Sequence, residues 1–311
     1  MSGFIFNELA GIFPSFEWGQ VLYGPWAEGA WKSTAWVVLL SALIGVACGM
    51  VGSFLLLRRM ALTGDAISHS VLPGLVVAYI VFGTLDSWAM ILGAAAAGVL
   101  AVGLIEYIHR MSRLKSDAAT GVAFTTLFAI GVLLIRRYAN RAHLDVDCVL
   151  YGNLEFTIFD TVPTPFGEVP RTVVQMVVIT LICMGLLVLF YKELLVTSFD
   201  ASLATTLGIK SRWIHHGLMT ATSIVVVASL EAVGAVLVVG MMIVPPATAR
   251  LLSNRLPKML LLTSVFVLLG TFLGRHLAAW LNTPLAASTM VASGILFFLV
   301  WGITLVRKAM R

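Results

Sequence analysis

Charged residues are scarce in this sequence. Asp, Glu, Lys and Arg make up only 11% of the 311 residues, whereas a soluble globular domain contains about 25%. Hydrophobic residues reach 59%, and long apolar runs use most of the length. The composition therefore predicts a polytopic membrane protein and leaves no room for a sizeable soluble domain.

Several motifs of enzymes and secreted proteins are missing. The chain contains no G-x-x-x-x-G-K-[ST] phosphate loop and no HExxH metalloprotease motif. Its three cysteines form no CxxC pair, so no disulfide framework is expected. No Lys or Arg precedes the first apolar residues, which argues against a signal peptide. We therefore expect a protein that is not an enzyme and does not itself hydrolyse ATP.

What the chain does contain is a series of apolar runs, each close to the 20 or so residues that a bilayer requires. They predict an all-α fold, a polytopic transmembrane helical bundle of about nine spanning helices. The expected spans are 33–57, 62–83, 88–108, 118–135, 172–192, 213–230, a run that follows Glu231, 259–279 and 285–306.

The distribution of basic residues predicts the orientation of these spans. With the N-terminus outside and the C-terminus in the cytosol, most of the 20 lysines and arginines fall in cytosolic segments. Six do not: Lys32, Arg136, Arg137, Arg141, Arg171 and Arg275. The net charge of +5 is then expected to anchor cytosolic loops at the membrane, not to bind nucleic acid.

Three segments lie outside the predicted spans. Residues 1–32 are rich in aromatics and predict an interfacial N-terminal segment, which precedes a transmembrane domain at 33–311. The interval 137–171 is expected outside the cell. The interval 196–212 is expected in the cytosol as a short helix, with Asp200 as its N-cap and Gly208 as its C-terminal stop.

An acid and a histidine four residues apart, Asp65 and His69, stand at the start of the second span. On a helix this spacing places both side chains on one face, one turn apart. Ionisable residues within a membrane are costly and indicate a function, and carboxylate with imidazole suits Mn, Fe or Zn. The alternative is that Asp65 caps a helix near the cytosolic surface and His69 bonds a neighbour.

Two proline sites are expected to bend or interrupt helices beside a substrate pathway. Pro73-Gly74 follows the Asp65/His69 turn, and Pro245-Pro246 lies in the seventh span. Each proline removes a backbone donor and frees a carbonyl, a common feature of transport pathways. Glu231, at the boundary between the sixth and seventh spans, is a further candidate metal contact.

Two stretches resemble one family. RRMALTGDAISHSVLPG at 58–74 and EAVGAVLVVGMMIVPPATARLL at 231–252 resemble the membrane permeases of ABC importers for manganese, zinc and iron, and the similarity extends from about residue 33 onward. The resemblance implies a permease subunit that forms the pathway for a Mn, Fe or Zn ion, the transported cargo, without a permanently bound cofactor. It implies a multi-pass protein of the bacterial cytoplasmic (inner) membrane.

The same resemblance implies partners and further sites. The partners are a second permease subunit (identical or paralogous), two ATP-binding cassette ATPase subunits, an extracytoplasmic metal-binding protein and the lipid bilayer. FDASLATTLGI resembles the family's segment that couples to the ATPase, with Phe199, Asp200, Leu203, Leu207 and Gly208. HLDVDCVLYGN resembles its external mouth, where His143, Asp145 and Asp147 form either a docking surface with a metal relay or an ordinary solvated loop.

Two other functions fit part of the pattern. A related ABC permease for a chelated metal or a vitamin would need a roomy aromatic cavity, whereas this chain has small residues and an Asp/His pair. A proton-coupled secondary metal transporter would work without an ATPase. An intramembrane enzyme fits less well, because the sequence shows no pairing of nucleophile and base.

Overall fold

A computed structural model describes residues 18–27, 29, 31–83, 87–139, 159–164 and 167–310. Within these ranges, nine helical segments are long and apolar enough to cross a membrane. This confirms the all-α class and the nine spans predicted from the apolar runs.

The helices are numbered here in chain order. They are α1 (Trp18–Leu22), α2 (Trp31–Leu57), α3 (Leu62–Phe82), α4 (Ser87–Met111), α5 (Ser116–Leu134), α6 (Arg171–Leu189), α7 (Tyr191–Phe199), α8 (Ala201–Thr206), α9 (Ser211–Leu252), α10 (Leu256–Leu281) and α11 (Leu285–Ala309). Short 3₁₀ and π turns, Gly24–Trp26 and Ile135–Ala139, follow α1 and α5. The long α9 provides two spans, Ser211–Leu230 and Ala232–Leu252.

Helix α9 is interrupted at Gly234, close to the boundary between its two spans. This residue has φ 75° and ψ 167°, a backbone conformation that is essentially open only to glycine. Pro245 and Pro246 lie further along, inside the helical part. The backbone of this stretch therefore leaves the helical conformation at Gly234 and stays helical at the double proline.

Helix α9 lies at the centre of the described bundle. It packs against α2, α3, α4, α10 and α11, and many of its side chains are fully buried. The outer helices instead expose large apolar side chains such as Leu181, Leu268 and Phe298. An apolar exterior over helices of this length is what the hydrocarbon core of a bilayer would cover.

The segments between the spans differ from their predictions in detail. The fifth span ends at Leu189, short of the expected residue 192, and a separate helix, α7, follows it. In the interval 137–171, strands β1 (Thr161–Thr164) and β2 (Gly167–Pro170) form an antiparallel hairpin that the apolar pattern did not indicate.

The described end of the N-terminal segment lies against α10. His276 Nδ1 donates a hydrogen bond to the carbonyl of Val21 at 2.9 Å, and the Trp26 and Phe272 rings stack with centroids 6.4 Å apart. These contacts attach α1 and the 3₁₀ turn to one end of the bundle. The interfacial position predicted for residues 1–32 stays a prediction.

Candidate metal-transit site and coupling segment

A tight turn joins α2 to α3, the helix that carries the candidate metal donors. Met60 N donates to Leu55 O at 2.9 Å and Arg59 N to Leu56 O at 3.1 Å, the pair of bonds that closes a helix C-terminus in a Schellman motif. Arg59 adopts the left-handed conformation that this motif requires, with φ 59°. Helix α3 begins three residues later and includes Asp65 in its first turn.

The structure brings Asp65 and His69 together. His69 Nε2 lies 3.4 Å from Asp65 Oδ1, as expected for residues four apart on one helix face. Their side chains remain 37% and 28% exposed respectively. Both donors are therefore within reach of an ion that approaches this face of α3.

Two aromatic rings of α5 flank the imidazole. The ring centroids of His69 and Phe124 are 5.9 Å apart in a stacked arrangement, and those of His69 and Phe128 are 5.5 Å apart edge to face. These contacts restrict the rotation of the imidazole beside Asp65. Neither phenylalanine was among the predicted site residues, although their spacing of four residues does indicate a shared helix face.

Glycines allow the neighbouring helices to approach α3 closely. A Cβ atom added to Gly74 would collide with the carbonyl oxygen of Gly93 in α4, and one added to Gly64 would collide with the Met242 sulfur in α9. A Cβ atom at Gly131 of α5 would lie 2.9 Å from Pro73 Cδ. Close packing therefore surrounds α3 on three sides, with α4 and α5 near its backbone and the Met242 side chain of α9 against Gly64.

Pro73 lies inside α3, which remains helical on both sides of it. Because proline has no N–H, the carbonyl of His69, four residues earlier, has no intrahelical donor at the usual position. A backbone oxygen acceptor is thus freed at the residue that also carries the imidazole. Its use as a metal contact, and the role of Pro73-Gly74 in bending a pathway, stay predictions.

The other predicted metal contacts cannot be placed beside this pair. His143, Asp145 and Asp147 lie outside the described residues, as does the side chain of Glu231. Among the side chains that are described, no group of three or more His, Cys, Asp or Glu could hold a metal ion together. Within this part of the chain, Asp65 and His69 form an incomplete coordination shell.

The interval 196–212, called the coupling segment below, consists of the end of α7, all of α8 and the turn into α9. Asp200 separates the two short helices. Its Oδ1 accepts hydrogen bonds from Ser202 N at 2.9 Å, Leu203 N at 3.0 Å and Ser202 Oγ at 2.6 Å. The prediction that Asp200 is an N-cap is confirmed.

Both ends of α8 are closed by local bonds. The hydrogen bonds from the Ser202 side chain and the Leu203 backbone lower the pKa of Asp200, which favours the ionised cap. At the other end, Gly208 has φ 78°, and Ile209 N bonds to Ala204 O at 2.9 Å. The predicted C-terminal stop at Gly208 is confirmed.

Apolar side chains project from this capped helix. Phe199, Leu203 and Leu207 are 59%, 49% and 61% exposed. Leu203 and Leu207 are four residues apart, so they extend the same face. A short helix that presents large apolar side chains outside the spans is suited to bind a groove in another protein.

Comparison with known proteins places the whole bundle in one family. A family model described as "ABC 3 transport family" matches residues 31–304. The chain belongs to the ABC 3 transport family. The matched range begins with α2 and ends within α11, so it includes the candidate site, the coupling segment, eight of the nine described spans and most of the ninth. The family resemblance is thereby confirmed.

Two relatives align with most of this ABC 3 family chain. The manganese transport system membrane protein MntD of Bacillus subtilis (strain 168) is 42% identical over 271 residues, 85% of this chain and 89% of that protein. The zinc transport system membrane protein TroD of Treponema pallidum (strain Nichols) is 41% identical over 265 residues, 85% of this chain and 72% of that protein.

A solved structure shares the fold. A chain of PsaBC from Streptococcus pneumoniae, determined in complex with a Fab, is 30% identical and superposes with a TM-score of 0.74. The match covers 91% of this chain and 95% of that chain.

Proposed function

We propose that this protein is the membrane permease subunit of an ABC importer for a divalent transition metal ion, manganese, zinc or iron. The observation that carries the proposal is the Asp65–His69 pair, 3.4 Å apart in a helix long enough to span a membrane. Donors of this kind suit these three metals. MntD and TroD, named for manganese and zinc transport, support the same class of cargo.

The pair fits a site of passage better than a site of storage. A transported ion must leave again, so its coordination has to be weak. One carboxylate and one imidazole give a partial shell, and both side chains are part-exposed. A second permease subunit, identical or paralogous, would supply a matching pair across the pathway, and Glu231 is a further candidate contact.

The proposed importer needs other subunits. The sequence lacks a phosphate loop, so two ATPase subunits would supply the energy and bind α8 through Leu203 and Leu207. An extracytoplasmic metal-binding protein would deliver the ion at the opposite face, where His143, Asp145 and Asp147 are candidates for a docking surface or relay. No resident cofactor is required, because the metal is cargo.

We propose a bacterial cytoplasmic membrane location with α8 in the cytosol and the β1–β2 hairpin outside. Single cysteines at Glu168 in β2 and Lys210 in the coupling segment test this orientation, because both residues are exposed. In intact cells, an impermeant thiol reagent should label position 168 and not position 210. The opposite labelling would overturn the orientation.

Uptake by reconstituted vesicles tests the function itself. Vesicles that contain the permease, its ATPase and the metal-loaded binding protein should import manganese, zinc or iron only when ATP is hydrolysed. Metal uptake driven by a proton gradient without the ATPase would instead show a secondary transporter. Uptake of a metal chelate but not of free ions would show the chelate-importing alternative.

A further inference from the structure

Arg58 connects three parts of the chain at the end of α2. Its Nη2 donates a hydrogen bond to Thr197 Oγ1 at 2.7 Å, and its Nε donates one to Ser198 Oγ at 3.1 Å. Its Nη1 lies 3.4 Å from His215 Nδ1 in the first turns of α9. Thr197 and Ser198 form the last turn of α7, immediately before the Asp200 cap.

The contact to Thr197 is fixed in direction. The Thr197 hydroxyl donates to the carbonyl of Glu193 at 2.7 Å, which leaves its oxygen lone pairs for Arg58. Thr197 is buried, so water does not compete freely for this bond. A shift of α7 would therefore displace the guanidinium with it.

A short closed turn of the backbone connects Arg58 to the helix that carries the candidate metal donors. The closed turn described above holds Arg58 three residues before Ala61 and the start of α3, and Asp65 lies in the first turn of that helix. Arg59, in the left-handed conformation, leaves this turn little freedom to absorb a displacement. A movement at Arg58 is thus passed to the first turn of α3.

The contacts of Arg58 are hydrogen bonds and not ion pairs. Its partners are two hydroxyls and an imidazole, all neutral or weakly basic, while burial lowers the pKa of the guanidinium without removing its charge at neutral pH. These hydrogen bonds orient the guanidinium of Arg58. Breaking them leaves no buried partner charge uncompensated, as breaking a buried ion pair would.

A cavity beside Arg58 gives these groups room to move. Its volume is about 560 Å³, and its lining includes Arg58, Ser198 and, from α4, Glu106 and Arg110. Glu106 is paired with Arg110 and lies 3.2 Å from His216 Nδ1. The coupling segment is therefore separated from α4 by open space but joined to α2 by the Arg58 bonds.

We propose that Arg58 is the positioning residue through which movement of the coupling segment reaches α3 and the Asp65–His69 pair. This role rests on the proposed function, since it requires an ATPase that acts on α8. Arg58 neither contacts the metal donors nor reaches the exposed face of α8. It acts by setting the position of the metal donors relative to α8.

The test measures metal ions imported per ATP hydrolysed in the reconstituted complex. The variants are Arg58→Gln, which removes the charge, and Thr197→Val with Ser198→Ala, which keeps Arg58 and removes its two hydroxyl partners. Arg255→Gln is the matched control, because it removes the same charge from an exposed arginine outside the turn and the coupling segment. Arg58→Lys keeps the charge and should restore part of the coupling.

We expect the first two variants to assemble and hydrolyse ATP, while the ratio of metal to ATP falls about tenfold, as for one lost hydrogen bond to a charged group. The Arg255→Gln ratio should match the wild type. An unchanged ratio in the Thr197/Ser198 variant would overturn the role of Arg58, as would a parallel loss of hydrolysis and assembly. If wild type and control import no metal, the proposed function itself fails.

Discussion

Gly52 of α2 packs directly against the backbone carbonyl of Met242 in α9, so that a Cβ atom at position 52 would collide with this oxygen. Pro246, four residues after Met242, has no N–H to offer the carbonyl. Because Gly52 has no side chain, α2 can pack directly against the free carbonyl oxygen of Met242. The double proline is thus accommodated by packing against another helix, and α9 does not break there.

Replacing Gly52 with alanine should push α2 away from α9. Overpacking of this kind costs about 1–3 kcal/mol, and here the obstacle is backbone that cannot rotate away. We expect a lower thermal unfolding midpoint for the purified Gly52→Ala protein. Gly103→Ala is the control, because a Cβ atom there meets nothing within 4 Å in the described structure. Equal midpoints for the two variants would contradict the close contact.

The break in α9 leads to a second prediction. At φ 75° and ψ 167°, Gly234 occupies a region that alanine can enter only at a cost of about 1–3 kcal/mol. Gly234→Ala should therefore lower the unfolding midpoint and reduce transport, since the two spans of α9 would meet at a different angle. Gly217→Ala, in the helical part of α9 with open space around it, should be neutral or slightly stabilising. A Gly234→Ala protein as stable and active as wild type would show that the break is not needed.

Much of the architecture follows from local rules. Apolar runs of bilayer length predicted nine spans, and a spacing of four residues predicted that Asp65 and His69 share a face. Asp200 and Gly208 were recognised as helix ends because capping depends on residue type and on neighbours a few positions away. Features of this kind need no knowledge of the tertiary structure.

Other features depend on contacts between distant helices. Phe124 and Phe128 lie beside His69 only because α5 packs on α3, and Arg58 meets Thr197 across the end of the bundle. The glycines and the double proline of α9 together predicted an interrupted helix, but the sequence does not indicate which of them interrupts it. At the double proline, α9 stays helical and Gly52 of α2 packs against it. The helix is interrupted instead at Gly234.

The cap of α8 gives a third prediction, with a dependence on pH. Asparagine caps helices about as well as aspartate, whereas alanine does not. The amides of Ser202 and Leu203 should therefore stay protected from hydrogen exchange in Asp200→Asn and lose protection in Asp200→Ala.

Because hydrogen bonds lower the pKa of Asp200, its cap is fully present above the ordinary aspartate value of about 3.9 and is lost as pH falls through the lowered value. Wild-type protection should decline in that acidic range relative to Asp200→Asn, which does not titrate. Identical pH profiles for the two proteins would argue against the ionised cap.

The exposed leucines of α8 give a fourth prediction. Replacing both Leu203 and Leu207 with Asp should weaken ATPase binding and stop ATP-driven uptake, because an apolar groove in the partner would have to accept two charges. Insertion and the unfolding midpoint should change little, since both side chains are exposed. The double replacement by Met keeps the apolar surface and should retain binding. Full uptake by the Asp double variant would show that α8 does not bind the ATPase through these leucines.

The last prediction concerns the donors themselves. Asp65→Asn keeps the size of the side chain but removes its charge, so it should depress uptake of every divalent metal that the wild type accepts. His69→Ala should do the same by removing the imidazole that Phe124 and Phe128 hold in place.

Both variants should still assemble with the ATPase and hydrolyse ATP, because Asp65 and His69 lie in α3 and the coupling segment is unchanged. Ser68→Ala is the control in the same helical turn, since its uncharged hydroxyl donates to the carbonyl of Asp65 at 2.8 Å. We expect this control to transport metal normally. If Asp65→Asn and His69→Ala import metal at the wild-type rate, the two residues are only polar groups at a helix end, and the metal ion crosses the membrane by other contacts.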